Sequence, residues 1–148
     1  MRGVCLLILL PALALTWGCA GGDVPPKSTQ AEVLALLEQA DAEDAVRLEY
    51  VQTGANVYAR MSCGTCHAFN DLPMTGPRLD RLFDDPVELS DGTEFDADWA
   101  YLWRSIATPH AEFVDGYQTA TRMSNFGHVL DNEDVAALIA YLESRNGR

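Results

Sequence analysis

Cys63-Gly64-Thr65-Cys66-His67 is the stretch from which the rest of this 148-residue chain is read. Two thiols separated by two residues, with an imidazole directly after, form the pattern of covalent c-type haem attachment. Residues three and four apart at a helix end project from one face, so two thiols can reach neighbouring vinyl groups while the imidazole points at iron. A thiol–disulfide centre would want the pair beside a βαβ pattern, which the sequence lacks, and would leave His67 without a role. A zinc site would need a fourth ligand and a better start than one Cys-Cys-His triple in a flexible loop. The expectation is therefore one haem, linked through Cys63 and Cys66 and ligated by His67.

The remaining cysteines lie outside that stretch. Cys5 falls in an apolar run, Val4 to Leu15, that follows Met1 and Arg2 and is too short to span a bilayer, so it reads as an export signal. The run ends in Leu15-Thr16-Trp17-Gly18-Cys19, which is similar to a bacterial lipoprotein cleavage site, with Cys19 as the acylated mature N-terminus. Thr16 and Trp17 depart from that motif, and cleavage after Ala20 is the alternative. Two or three acyl chains on Cys19 would anchor the domain to a membrane without crossing it, at about 0.8 kcal/mol per buried methylene. In an exported chain Cys63 and Cys66 could form a disulfide, but one bridge closing so small a loop stabilises little. The expected division is a signal over 1–18, a tether with a short amphipathic helix over 19–45, and the main domain over 46–148.

A net charge of -12 excludes nucleic acid as a partner, since phosphate recognition needs the opposite sign. The acidity suits a solvated surface and equally suits steering toward a basic redox partner. Working outward, Thr29 and Glu32 make a capping-box pattern ahead of Val33, Leu36, Leu37 and Ala40 at helical spacing. Asp41 is placed to cap a second helix with the stripe Leu48, Val51, Ala55 and Tyr58, interrupted by Gly54, which costs roughly 1 kcal/mol against Ala and implies a close approach. Pro73, Gly76, Pro77, Pro86 and Gly92 make residues 68–97 loop-like. A third helix is predicted on Trp99, Leu102, Trp103 and Ile106, capped by Asp98 or Asp96 and ended before Pro109. The last helix is capped by Asp131, carries Val135, Leu138, Ile139 and Leu142, and closes with Arg145 and Gly147.

With these segments in view the chain resembles the monohaem class I cytochromes c, especially the cytochrome c domain fused to the copper subunit (subunit II) of some bacterial oxidases. The resemblance covers roughly Leu48 to Ser144. It rests on Gly54-Ala-Asn-Val-Tyr58, the haem motif, Thr75-Gly76-Pro77-Arg78-Leu79, Ser105-Ile106 through His110 to Tyr117, Met123, and Asp134 to Leu142. It implies that Gly54 and Tyr58 cross the C-terminal helix near Tyr141, that the Pro77 carbonyl accepts the Nδ1 proton of the haem histidine, and that Leu79 packs on the haem face. An acceptor of that kind fixes the imidazole and raises its basicity.

Five side chains are candidates for the sixth iron position: Met61, Met74, Met123, His110 and His128. Met61 lies two residues before Cys63 and is tied to the side of His67. Met74 sits in the loop expected to support that same histidine. Met123 occupies the long loop between two helices with which the resembled family brings its methionine across the opposite face, and it is the expected ligand. Ser124 stands where that family often has Pro, and His128, then His110, are the alternatives. Trp99, Tyr101, Trp103, Arg60, Arg78, Arg81, Arg104 and Arg122 are candidates for haem packing or propionate hydrogen bonds.

The expected fold is all-α, with three or more helices wrapped around one haem c that supplies much of the core of a domain of about 100 residues. The resemblance implies a one-electron carrier in a respiratory chain, with a terminal oxidase or reductase as redox partner and no small-molecule substrate, and the signal with Cys19 places it tethered on the periplasmic face of a membrane. The alternative is an open sixth position, making the domain a gas sensor or peroxidase; no paired acid and base stands out for peroxide chemistry.

Overall fold

A computed structural model of the chain describes residues 26–83, 85–118 and 123–146, so Cys19, Arg122 and Gly147 lie outside the described residues. Four helices, α1 (Gln30–Asp41), α2 (Asp44–Arg60), α3 (Trp99–Ala107) and α4 (Asn132–Ser144), carry the described fold. Two two-residue strands, β1 (Val87–Glu88) and β2 (Glu94–Phe95), pair antiparallel, with Val87 opposite Phe95. The expected all-α class is what the chain adopts.

The α2–α4 crossing organises the molecule, and a glycine permits it. A Cβ on Gly54 would stand 1.9 Å from the Ala137 carbonyl oxygen and 2.7 Å from Tyr141 Cβ, so only hydrogen fits between these backbones. Tyr58, one turn on, meets the Tyr141 ring at 5.6 Å between centroids, and Phe69 completes the aromatic cluster at 5.3 Å from Tyr58. The helix register follows from this contact: Gly54 and Val57 are buried, whereas Leu48, expected on the apolar stripe, is 58% exposed. Asp41 does not cap α2 either; it is the last residue of α1, and Glu43 takes the cap position without a side-chain bond.

The helix expected inside a tether is part of the core. Val33, Leu37 and Ala40 of α1 are fully buried among helices α2, α3 and α4. Burial of one Val or Leu side chain contributes about 1.5–3 kcal/mol, more than a freely moving tether helix could forgo. The boundary expected at residue 46 therefore falls within the packed unit. Thr29 caps α1 by accepting from Glu32 N. The reciprocal half of the capping box is supplied from elsewhere: Thr29 N–H donates to Asn132 Oδ1 at 2.8 Å, and Asn132 Nδ2 donates to Glu32 Oε2 at 2.9 Å. The start of α1 is thus stitched to the start of α4.

Asp98 and Asp131 cap α3 and α4 through bonds from Tyr101 N (2.7 Å) and Asp134 N (2.9 Å). On α3 the deeply buried residues are Tyr101, Leu102, Ile106 and Ala107, while Trp99 and Trp103 are only half-buried. Rings at helical spacing do not say which of them faces inward; the packing of α3 against α1 and α4 does. α2 ends at Arg60 with Met61 as its C-cap, and Ser62 takes φ 58°, turning the chain into a one-turn 3₁₀ helix over Cys63–Thr65.

Candidate functional site

Behind that turn lies a mostly apolar cavity of about 370 Å³, lined from one stretch of chain by Cys63, Cys66, His67, Pro77 and Leu79. A second stretch contributes Tyr101, Ile106, Phe113, Val114 and Met123, and α4 adds Leu138 and Leu142. The sequence-predicted site residues Cys63, Cys66, His67, Pro77, Leu79 and Met123 all meet here. Cys63 and Cys66 are free thiols. Burial pushes the Cys63 thiol above its ordinary range, the opposite of what an exchanging disulfide centre requires.

His67 is held from several directions. Its Nδ1–H donates to the Pro77 carbonyl at 2.8 Å, since a carbonyl can only accept. That bond fixes the tautomer with Nε2 unprotonated, the form in which imidazole donates a lone pair to a metal. The supporting loop is laced back onto the motif by Gly76 N–H to Cys66 O (2.8 Å) and Leu79 N–H to Ala68 O (2.9 Å). Gly76 has a steric reason as well: a Cβ there would stand 2.5 Å from His67 Cε1. Tyr58 OH donates to the His67 carbonyl at 3.0 Å, and burial lifts its phenol to about 12, so it remains a donor across the physiological range.

Arg78 closes the same loop. Its guanidinium donates to Asp80 through Nε at 2.8 Å and also bonds Asp71, and the Arg78 hydrogen bonds hold the Asp80 carboxyl below the usual carboxylate range. None of the described candidate arginines, Arg60, Arg78, Arg81 and Arg104, lines the cavity. Arg60 pairs with Asp134 at 2.9 Å, Arg81 with Asp85 at 2.6 Å, and Arg104 with Glu112 at 3.4 Å, of which only Glu112 is on the cavity wall. Acids dominate this chain, and each of these cations is taken up by a neighbouring carboxylate. Of the aromatic candidates Tyr101 lines the cavity, while Trp99 and Trp103 do not.

Among the five candidates for a second ligand, Met123 and Met61 line the cavity; Met74, His110 and His128 do not. Met61 caps α2 immediately before the cysteines. His110 and His128 are exposed, and His110 Nε2 bonds the Met123 carbonyl at 3.0 Å. Reasoning from the sequence missed the Gly76 clearance, the Tyr58 bond and this His110 contact. The Gly-Pro pair was the only local signal for the first, and nothing in spacing marks the other two.

The residues fit a covalently held metalloporphyrin: two thiols on one turn, an imidazole with its second nitrogen free, and an apolar chamber with a thioether on its wall. No curated protein matches the chain. The cytochrome c family model matches residues 51–146, more than half of the sequence and inclusive of every residue named on this cavity. The chain belongs to the cytochrome c family and its cofactor is covalently attached haem c.

Proposed function

We propose that the protein is a one-electron carrier in which His67 and Met123 fill both axial positions of the haem iron, within a respiratory chain and tethered by a lipid on Cys19. When bound, haem c supplies a ferric–ferrous couple. The observation that carries the reading is that Met123, from the loop after α3, lines the same chamber as His67 and the two cysteines. A thioether opposite imidazole raises the reduction potential relative to two imidazoles, suiting a carrier near the oxidising end of a chain. Cys63 and Cys66 fix the group's position, Pro77 and Tyr58 orient His67, and the apolar residues around Ile106 and Leu138 keep water from it. A carrier's partner is another redox protein, here a terminal oxidase or reductase that meets the acidic surface with a basic one.

No helix among the described residues is long and apolar enough to cross a membrane. Attachment in this reading comes from acylated Cys19 alone, and Cys19→Ala should move the protein from the membrane to the soluble fraction. The axial reading is tested by the ferric visible spectrum. A sulfur-to-iron charge-transfer band is expected, and it should vanish in Met123→Ala. Tight cyanide or carbon monoxide binding by the unmutated protein, with no such band, would instead indicate an open site of the sensor or peroxidase kind.

A further inference from the structure

His110 was weighed as an iron ligand from the sequence, yet its side chain is exposed and does not reach the cavity. It touches instead the residue that does. His110 Nε2 lies 3.0 Å from the Met123 carbonyl oxygen, across thirteen residues of chain, and Nε2 must carry the hydrogen. Among the described residues no other group is hydrogen-bonded to Met123.

Both ends of this contact stand on fixed ground. On one side the turn after α3 is closed by Thr108 N–H and Oγ1–H to Arg104 O (2.8 and 3.0 Å) and by Ala111 N–H to Thr108 O (3.0 Å), with buried Pro109 restricting the backbone between them. On the other, Asn125 Oδ1 accepts from Gly127 N at 3.1 Å, and Gly127 lies so near α3 that a Cβ would be 2.5 Å from Ala107 O. Gly127 O also accepts from Lys27 N at 2.6 Å. Met123 lies between these two anchored points, and the bond to its carbonyl ties it to the first of them.

We infer that His110 is a positioning residue for Met123: its Nε2–H holds the backbone that presents the thioether to the haem chamber, without itself touching cofactor. This rests on the reading of Met123 as an axial ligand. One hydrogen bond of ordinary net strength corresponds to about a fivefold change in the equilibrium between a seated and an unseated loop. An exogenous ligand that must displace the thioether reports that equilibrium directly, because its apparent affinity scales with the unseated fraction.

The experiment uses the mature holoprotein with cyanide as the probe, and compares His110→Ala, His110→Gln, His110→Glu and Met123→Ala. Gln places an amide N–H near the position of Nε2, while Glu has the same shape and, ionised, has no donor to offer. Expected are about fivefold tighter cyanide binding and a weakened sulfur-to-iron band in His110→Ala and His110→Glu, with both restored toward wild type in His110→Gln. Equal behaviour of the Gln and Glu variants overturns the inference, and that pair decides the matter even where the Ala variant fails to mature. If Met123→Ala loses the band while every His110 variant matches wild type, the His110 role is wrong and the axial methionine stands. If Met123→Ala keeps the band, the axial reading itself falls, and this inference with it.

Discussion

The two sides of the haem chamber are built on different plans. On the histidine side, within residues 58–79, His67 is met by the Pro77 carbonyl, the Tyr58 hydroxyl on its own carbonyl, a glycine that cannot be anything larger, and two backbone bonds that strap residues 76–79 to the motif. On the methionine side, among the described residues, Met123 has a single hydrogen bond, from a histidine exposed to solvent. The histidine side is over-determined, so a change there must be absorbed by the fold. On the Met123 side the described residues show one hydrogen bond, so a change there meets fewer restraints. In the proposed carrier such a division would let the covalent side set where the porphyrin sits and let Met123 adjust the iron's electronic environment.

Several substitutions would break or sharpen this contrast. The largest effect is expected from Gly54→Ala, which belongs to the framework behind the histidine side. The added methyl meets the Ala137 carbonyl at 1.9 Å, and overpacking of about 3 kcal/mol or more outweighs the roughly 1 kcal/mol that Ala offers a helix. Thermal unfolding of the holoprotein should show a net loss of stability; an unchanged or higher midpoint would mean that α2 and α4 are not so tightly crossed. Gly76→Ala should follow, at about 1–3 kcal/mol, because the His67 ring must tilt away from a Cβ only 2.5 Å distant. Impaired haem maturation together with lowered stability is the expected signature.

Met123→Ala should behave in the opposite manner. Its loss of the sulfur-to-iron band is expected to come with nearly unchanged helix content by circular dichroism, and a collapse of that helicity would erase the distinction between the two sides. The smallest effect is that of Tyr58→Phe, about 0.5–1.5 kcal/mol for the lost bond to the His67 carbonyl. It also has a pH signature. The folded-state phenol at about 12 lies above the unfolded value near 10, so its contribution is complete below pH 10 and is lost as pH rises toward 12. Wild-type stability should decline over that window more steeply than that of Tyr58→Phe, measured by denaturant unfolding.

Local chemistry made much of the molecule legible in advance. The spacing of Cys63, Cys66 and His67 is a property of one turn of chain, and three reactive side chains at that spacing serve few purposes, so the cofactor could be read before any packing was known. Asp98, Asp131 and Thr29 announce helix starts because a cap needs only the next three residues. Other features depend on partners that lie far away in the chain. Leu48 was expected inside and lies out because the Gly54 contact with α4 sets the rotation of α2. The α1 helix was expected in a tether, and its membership of the core is decided by α2, α3 and α4, among which Val33 and Leu37 are buried, with Asn132 of α4 bonded to its first turn.

By itself, then, the sequence determined the thiol-and-imidazole turn, the helical class and the main helix starts, all of which follow from residues within a few positions of one another. Tertiary structure alone decided which face of each helix turned inward, that Arg60, Arg78, Arg81 and Arg104 pair with acids, and that His110 reaches the Met123 carbonyl. Those outcomes depend on separations in space between residues far apart in the chain, and spacing along the chain carries no record of them.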